Sequence, residues 1–167
     1  MTSLVVTIDG PAASGKSTVA KTLAEKLNAS FLDTGAMYRA VTLAAMNAEI
    51  DIENKKKLLD LVNNTKIRLV AQKTNMRVWV NDIDVTEKIR QPEVTANARH
   101  IAASPKIREK LVQMQRDFAA AQKKIVTEGR DQGTVAFPNA HKKFFLTADV
   151  EERARRRAVI QMRSDDE

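Results

Sequence analysis

Apolar residues fall along this chain in two alternating rhythms. Leu4-Val5-Val6-Thr7-Ile8, Ser30-Phe31-Leu32, Ile125-Val126-Thr127 and Lys143-Phe144-Phe145-Leu146-Thr147 are short runs that read as core strands covered on both faces, spanning 4–8, 30–32, 124–128 and 143–147. Between them the spacing becomes helical. Val19, Leu23 and Leu27 recur over 18–27, and Met37, Tyr38, Val41 and Leu43 follow the second strand. Ile107, Leu111, Met114 and Phe118 mark a long helix from Ser104-Pro105, read as N-cap and first helical residue, through Ala121. A helix over 93–103 precedes it, and another over 149–162 closes the chain. Strand, turn and helix repeated in this order predict an α/β fold with a parallel sheet between helical layers.

The rhythm changes after Asp51. A short helix over 55–62 is followed by Ile67-Arg68-Leu69-Val70 and Met76-Arg77-Val78-Trp79-Val80, which alternate as half-exposed strands. Lys73-Thr74-Asn75 is the expected hairpin turn, and 81–86 supply another turn and a third strand. This predicts a small antiparallel insert with Trp79 as a packing residue. The expected division is 1–50 core, 51–90 insert, 91–152 core and 153–167 the start of a lid.

Directly after the first strand stands Gly10-Pro11-Ala12-Ala13-Ser14-Gly15-Lys16-Ser17, a G-x-x-x-x-G-K-[ST] loop, with Thr18 leading into the helix. Such a loop turns several backbone N–H groups around a phosphate chain, and Lys16 adds a mobile charge. Ser17 offers a hydroxyl to Mg²⁺. Strand, loop and helix in this order point to a nucleoside triphosphate site.

Ligands of open α/β sheets gather at the carboxyl ends of the strands. Asp33, Thr34, Tyr38 and Arg39 follow the second strand, and Glu128-Gly129-Arg130-Asp131-Gln132-Gly133-Thr134 follow the third. Arg130 suits bidentate phosphate contacts. Asp131 suits a base amino group or a metal-bound water, unless the two form an internal ion pair that fixes the turn. Arg108 points into a cleft or into solvent. Arg153, Arg155, Arg156 and Arg157 form either a solvated helix face or a clamp on phosphates.

Composition narrows the chemistry. The 167 residues carry a net charge of +7, no cysteine and two histidines, which excludes disulfides and thiolate metal sites. No stretch approaches the roughly 18 apolar residues of a membrane span, and no secretory leader is read at the start, so a cytoplasmic protein is expected. The basic residues are dispersed and aromatics make up only 4%. Stacking platforms for nucleic acid are scarce, so the arginines are assigned to a small polyanion such as a nucleotide pair.

These segments together resemble the bacterial cytidylate kinases, of the nucleoside-monophosphate kinase family of P-loop NTPases. The similarity runs from Leu4 to the end. It is carried by Thr7-Ile8-Asp9-Gly10-Pro11 into Gly15-Lys16-Ser17, Asp33-Thr34-Gly35-Ala36-Met37-Tyr38-Arg39, Ile107-Arg108, Gly129-Arg130-Asp131-Gln132-Gly133-Thr134-Val135 and Glu151-Glu152-Arg153-Ala154. It implies a three-layer P-loop NTPase fold with a monophosphate-binding insert and a truncated lid. The implied reaction moves the γ-phosphoryl group of ATP to CMP or dCMP, with Mg²⁺ on Ser17. By position, Gly10, Pro11, Ala12, Ala13, Ser14, Gly15, Lys16, Ser17 and Thr18 would hold ATP, helped by Arg153, Arg156 and Arg157 of the lid. Thr34, Arg39 and Arg130 would hold the acceptor monophosphate with Tyr38 nearby, and Arg108 and Asp131 would read cytosine. Lys16, Arg130 and Asp131 are the expected catalytic set.

Two departures qualify the resemblance. Arg99 stands nine residues before Arg108, where relatives commonly carry a serine that touches cytosine, so base selectivity is less specified than reaction type. The family also continues beyond Glu167 with more lid and a fifth core strand. A polypeptide ending there is expected to bind nucleotide weakly, and the functional protein to continue for roughly 50 residues. The expected partners are small nucleotides, with no nucleic acid or membrane, in a monomer. The alternatives are a P-loop kinase for another small acceptor or a nucleotide- or RNA-binding module without turnover.

Overall fold

The structure is a computed structural model and describes residues 4–72 and 75–165. Along the chain run β1 (Leu4–Asp9), α1 (Lys16–Leu27), β2 (Ser30–Asp33), α2 (Thr34–Asn47), α3 (Lys55–Asn64), β3 (Ile67–Gln72), β4 (Asn75–Val80) and β5 (Ile83–Asp84). Then come α4 (Pro92–Ala102), α5 (Pro105–Ala120), β6 (Lys124–Gly129), β7 (Lys142–Phe145) and α6 (Val150–Asp165). Two single turns complete the set, a 3₁₀ turn at Lys88–Arg90 and a π turn at Gln132–Ala136.

The four expected core strands form one parallel sheet in the order β2-β6-β1-β7. Their alternation assigns two faces. Val6, Ile8, Phe31 and Val126 pack with Ala20 and Ala24 of α1, whereas Leu32 and Ile125 pack with Met37, Ala40 and Val41 of α2 and with Ile101, Ile107 and Leu111 of α4 and α5. Helices on both faces make three layers, the arrangement expected of short apolar strands that must be covered twice.

The stripe expected on α1 is rotated by one residue. Val19 is 44% exposed, and Lys16, Ala20 and Ala24 face the sheet with Leu23 and Leu27 at the flank. Small residues let the helix axis approach the sheet closely, so shape outranks hydrophobicity here. Ser104 does occupy the N-cap of α5 with Pro105 at the first turn, but its side chain makes no cap hydrogen bond.

The insert is the antiparallel sheet β3-β4-β5, with Ile67 opposite Val80 and Arg68 opposite Trp79. Met76 and Val78 of β4, with Leu58 and Val62 of α3, join the cluster built on α2. Trp79 lies half-buried on the other face of this sheet, its ring 4.8 Å from the Arg68 guanidinium carbon. It packs beneath a cation and not in the core. Lys73 and Thr74 of the expected hairpin turn lie outside the described residues; Asn75 opens β4 opposite Gln72. The third strand is only Ile83–Asp84, because Asn81 and Asp82 adopt positive φ as its turn.

β1, β2 and β6 end together, which sets Gly10, Thr34 and Arg130 along one rim of the sheet. β7 lies outside β1 with Phe144 and Phe145 exposed, and among the described residues no strand pairs with its other edge. It still shapes the rim. The Leu146 carbonyl sits where a Gly10 side chain would be, 2.0 Å from an ideal Cβ, and Gly10 has φ 152°. Gly10→Ala is therefore expected to cost about 3 kcal/mol or more, backbone strain of roughly 1–3 kcal/mol being compounded by that overlap. A urea midpoint within error of the parent protein would contradict this packing.

Candidate active site

The phosphate loop leaves β1 at Gly10 and enters α1 at Lys16, with Gly15 left-handed at the N-cap (φ 95°). No side chain caps α1, so its first N–H groups and the positive end of its dipole are free to face an anion. Lys16 is buried, and its Nζ donates to the Pro11 carbonyl (2.8 Å). Burial pulls its pKa below the ordinary lysine value; Glu128 opposes this most strongly, Arg130 adds to it, and Asp33 and Asp9 oppose it further. One ammonium thus feels charges from β1, β2, β6 and the turn after β6. Ser14 Oγ is buried without a partner in the middle of the loop.

After β2, the Asp33 side chain accepts the Ala36 N–H (3.1 Å) at the start of α2 and the Arg39 Nη2–H (2.9 Å). One carboxylate therefore caps the helix and aims the guanidinium. Arg39 Nε is buried without a partner, a donor available to an incoming anion. Thr34 is buried and donates to the Glu128 carbonyl (2.8 Å), tying α2 to β6. Arg108 and Asp131 form a close ion pair beside Tyr38. Burial, then Asp131, raises the Tyr38 pKa, while Arg108 lowers it. The three converge although they stem from α2, α5 and the turn after β6. Arg130 is exposed on that turn.

Not all expected residues gather. Of the lid arginines, Arg156 reaches the loop, its Nη1 lying 3.4 Å from the Ala13 carbonyl while its Nε donates to Glu152 (2.8 Å). Arg153 donates to the Ala148 carbonyl (3.1 Å), and Arg157 is exposed. Arg99 is also exposed and donates to His100 (3.2 Å), not toward the Tyr38, Arg108 and Asp131 group.

Sequence reasoning passed over Glu128. It is 6% exposed at the end of β6, and its Oε1 accepts the Ser17 hydroxyl (2.5 Å). Burial and then Asp33 raise its pKa, against Ser17, Lys16 and Arg39. The available signal was an acid closing a core strand that neighbours the loop strand. Ser17 and Glu128 offer a hydroxyl and a carboxylate, the hard oxygen donors Mg²⁺ takes while keeping waters and substrate oxygens as its remaining ligands. The residues present therefore fit that ion.

The sequence profile of the cytidylate kinase family matches residues 6–166. The chain is 51% identical over 157 residues to the cytidylate kinase of Desulforamulus reducens, an alignment covering 94% of this chain and 70% of the relative. It is 46% identical over 158 residues to that of Bacillus cytotoxicus, covering 95% and 70%. With that of Streptococcus sanguinis it shares 48% over 158 residues, covering 94% and 70%.

Proposed function

The chain belongs to the cytidylate kinase family, whose members phosphorylate CMP or dCMP with ATP, and we propose that its reaction runs across the rim between the phosphate loop and the turn after β6. The observation that carries this is the convergence of Lys16, Arg39, Tyr38, Arg108 and Asp131 from four separate segments, α1, α2, α5 and the turn after β6, on one sheet end. In the proposed roles, residues 10–18 hold the ATP phosphates and Arg156 closes over them, joined by Arg153 and Arg157 when nucleotide is bound. Arg39 and Arg130 take the acceptor phosphate, with Thr34 and Tyr38 shaping its seat.

Arg108 and Asp131, ion-paired to each other, are poised to exchange that contact for the cytosine ring. Asp131 accepts from the ring amino group, and Arg108 donates to its carbonyl. An acceptor phosphate oxygen bonds to the γ-phosphorus as the bond to the β,γ-bridging oxygen breaks and ADP leaves. Alignment and cations carry such a reaction, so no histidine or cysteine is required. Ser17 and Glu128 would hold Mg²⁺, which when bound neutralises charge on the phosphate oxygens. Small nucleotides as the only partners, a monomeric state and a cytoplasmic setting complete the proposal. No described helix is long and apolar enough to cross a membrane.

Coupled assays of the full chain with CMP, dCMP, UMP, AMP and shikimate test this reading. The highest kcat/KM is expected for CMP or dCMP; a clear preference for shikimate or AMP would overturn it. Glu128→Gln tests the metal role. Because the folded pKa of Glu128 is raised, its stabilising contribution is full below the ordinary value near 4.5 and lost as pH rises through the folded value. The neutral amide keeps it at every pH. Metal-free Glu128→Gln is thus expected to melt higher than the parent in mildly alkaline buffer, the difference closing as pH falls toward 4.5. Its Mg²⁺-dependent turnover is expected to fall by about ten- to hundredfold. Unchanged Mg²⁺ dependence would remove Glu128 from the site.

A further inference from the structure

Asp9 has no role in the scheme above, yet it is more than nine-tenths buried at the end of β1, immediately before Gly10. Both carboxylate oxygens are committed. Oδ1 accepts the Gln132 N–H (2.8 Å) and Oδ2 the Gly133 N–H (2.8 Å). These are the two residues that follow Arg130 and Asp131. The same turn is held from a second side through the buried Gln132 side chain, which accepts the Thr127 hydroxyl (2.8 Å) and donates to Gln115 of α5 (3.2 Å). From a third side, Arg116 of α5 donates to the carbonyls of Ala136 and Val135 (both 2.9 Å).

We propose that Asp9 is a positioning residue for acceptor recognition, its bidentate clamp on Gln132 and Gly133 fixing where Arg130 and Asp131 stand relative to the phosphate loop. The inference rests on the reading that those two residues face the acceptor. Two adjacent N–H groups converge on one buried point, and a carboxylate, with acceptors only, satisfies both. An asparagine has one acceptor oxygen and must turn its amide NH₂ toward the other N–H, donor against donor. The turn then shifts to relieve that contact, and Asp131 shifts with it. Because Asp9 also opens the phosphate loop, one side chain sets the spacing between the donor and acceptor halves of the site.

The test compares Asp9→Asn, Thr127→Val and Asp131→Ala in the full chain, with steady-state kinetics for CMP and UMP at saturating ATP, ATP titrations and melting curves. Asp9→Asn is expected to raise KM for CMP about tenfold and to narrow the CMP-over-UMP preference by a similar factor, with KM for ATP within about twofold, as befits loss of one charge-assisted hydrogen bond. A role confined to stability would lower the melting temperature and leave that preference unchanged, which would overturn the proposal. So would an effect on KM for ATP alone, which would mean that Asp9 acts through Lys16. Should Asp9→Asn fail to fold, Thr127→Val loosens the same turn by way of Gln132. A narrowed preference there supports the clamp, and an unchanged one overturns it. Unchanged selectivity in Asp131→Ala would remove the underlying reading and the clamp with it. Lost selectivity in Asp131→Ala with both other variants unaffected would overturn the clamp alone.

Discussion

Lys16→Met is expected to reduce phosphoryl transfer by at least about 10²- to 10³-fold, the cost of removing one preorganised donor from developing charge, while the protein melts at the same temperature or higher. Position 16 opens α1, where methionine is a good helix former, and the ammonium it replaces is buried and destabilised by that burial. The hydrogen bond lost to the Pro11 carbonyl offsets part of this relief. Function and stability therefore move apart, as expected where a charge is kept for a ligand at the expense of the fold. Thermal melts and coupled assays on the same preparation read both quantities. Turnover near that of the parent would place the phosphate chain elsewhere.

Removal of the acceptor-side charges should divide phosphate from base. Arg39→Ala and Arg130→Ala are expected to weaken CMP by roughly ten- to hundredfold, about 1.5–3 kcal/mol for a charge-assisted contact, while barely changing cytidine. Arg130 is the cleaner probe because it is exposed on its turn, whereas Arg39→Ala also strips Asp33 of its partner beside the buried Glu128. Asp131→Ala is expected to leave the phosphate contribution intact and erode the preference for CMP over UMP. Uracil presents a carbonyl where cytosine presents its amino group, so a carboxylate there opposes acceptor to acceptor. Isothermal titration of CMP, UMP and cytidine separates the contributions. Equal weakening of CMP and cytidine in Arg130→Ala would detach it from the phosphate.

Much of this architecture is written locally. The four core strands match their observed spans to within two residues because a doubly covered strand needs an unbroken apolar run, which few other elements tolerate. The phosphate loop is legible for a related reason. Its function uses backbone N–H groups on a turn that only a short, glycine-bearing stretch can make, so all its determinants are contiguous. The rotated stripe of α1 was not legible. Val19 has the higher hydrophobicity, but Ala20 and Ala24 have the shape that lets the helix approach β1 and β6. That choice depends on a distance between elements, and no spacing along one element records it.

The remaining site residues divide along the same line. The sequence alone determined the element order, the glycine-bearing G-x-x-x-x-G-K-S loop, and the presence of Arg39, Arg130 and Asp131 shortly after core strands. Tertiary structure decided which charges share a space. Ser17 meets Glu128 from 111 positions away, Asp9 meets Gln132 across 123, and Arg108 meets Asp131 across 23. It also decided that Arg156, itself exposed, brings its Nη1 to 3.4 Å from the Ala13 carbonyl of the phosphate loop. The physical reason is that apolar periodicity is selected by burial, which each element experiences for itself. A polar contact depends on the register of two elements against a third, and on the energy of leaving a buried charge unpaired, neither of which exists until the sheet has closed.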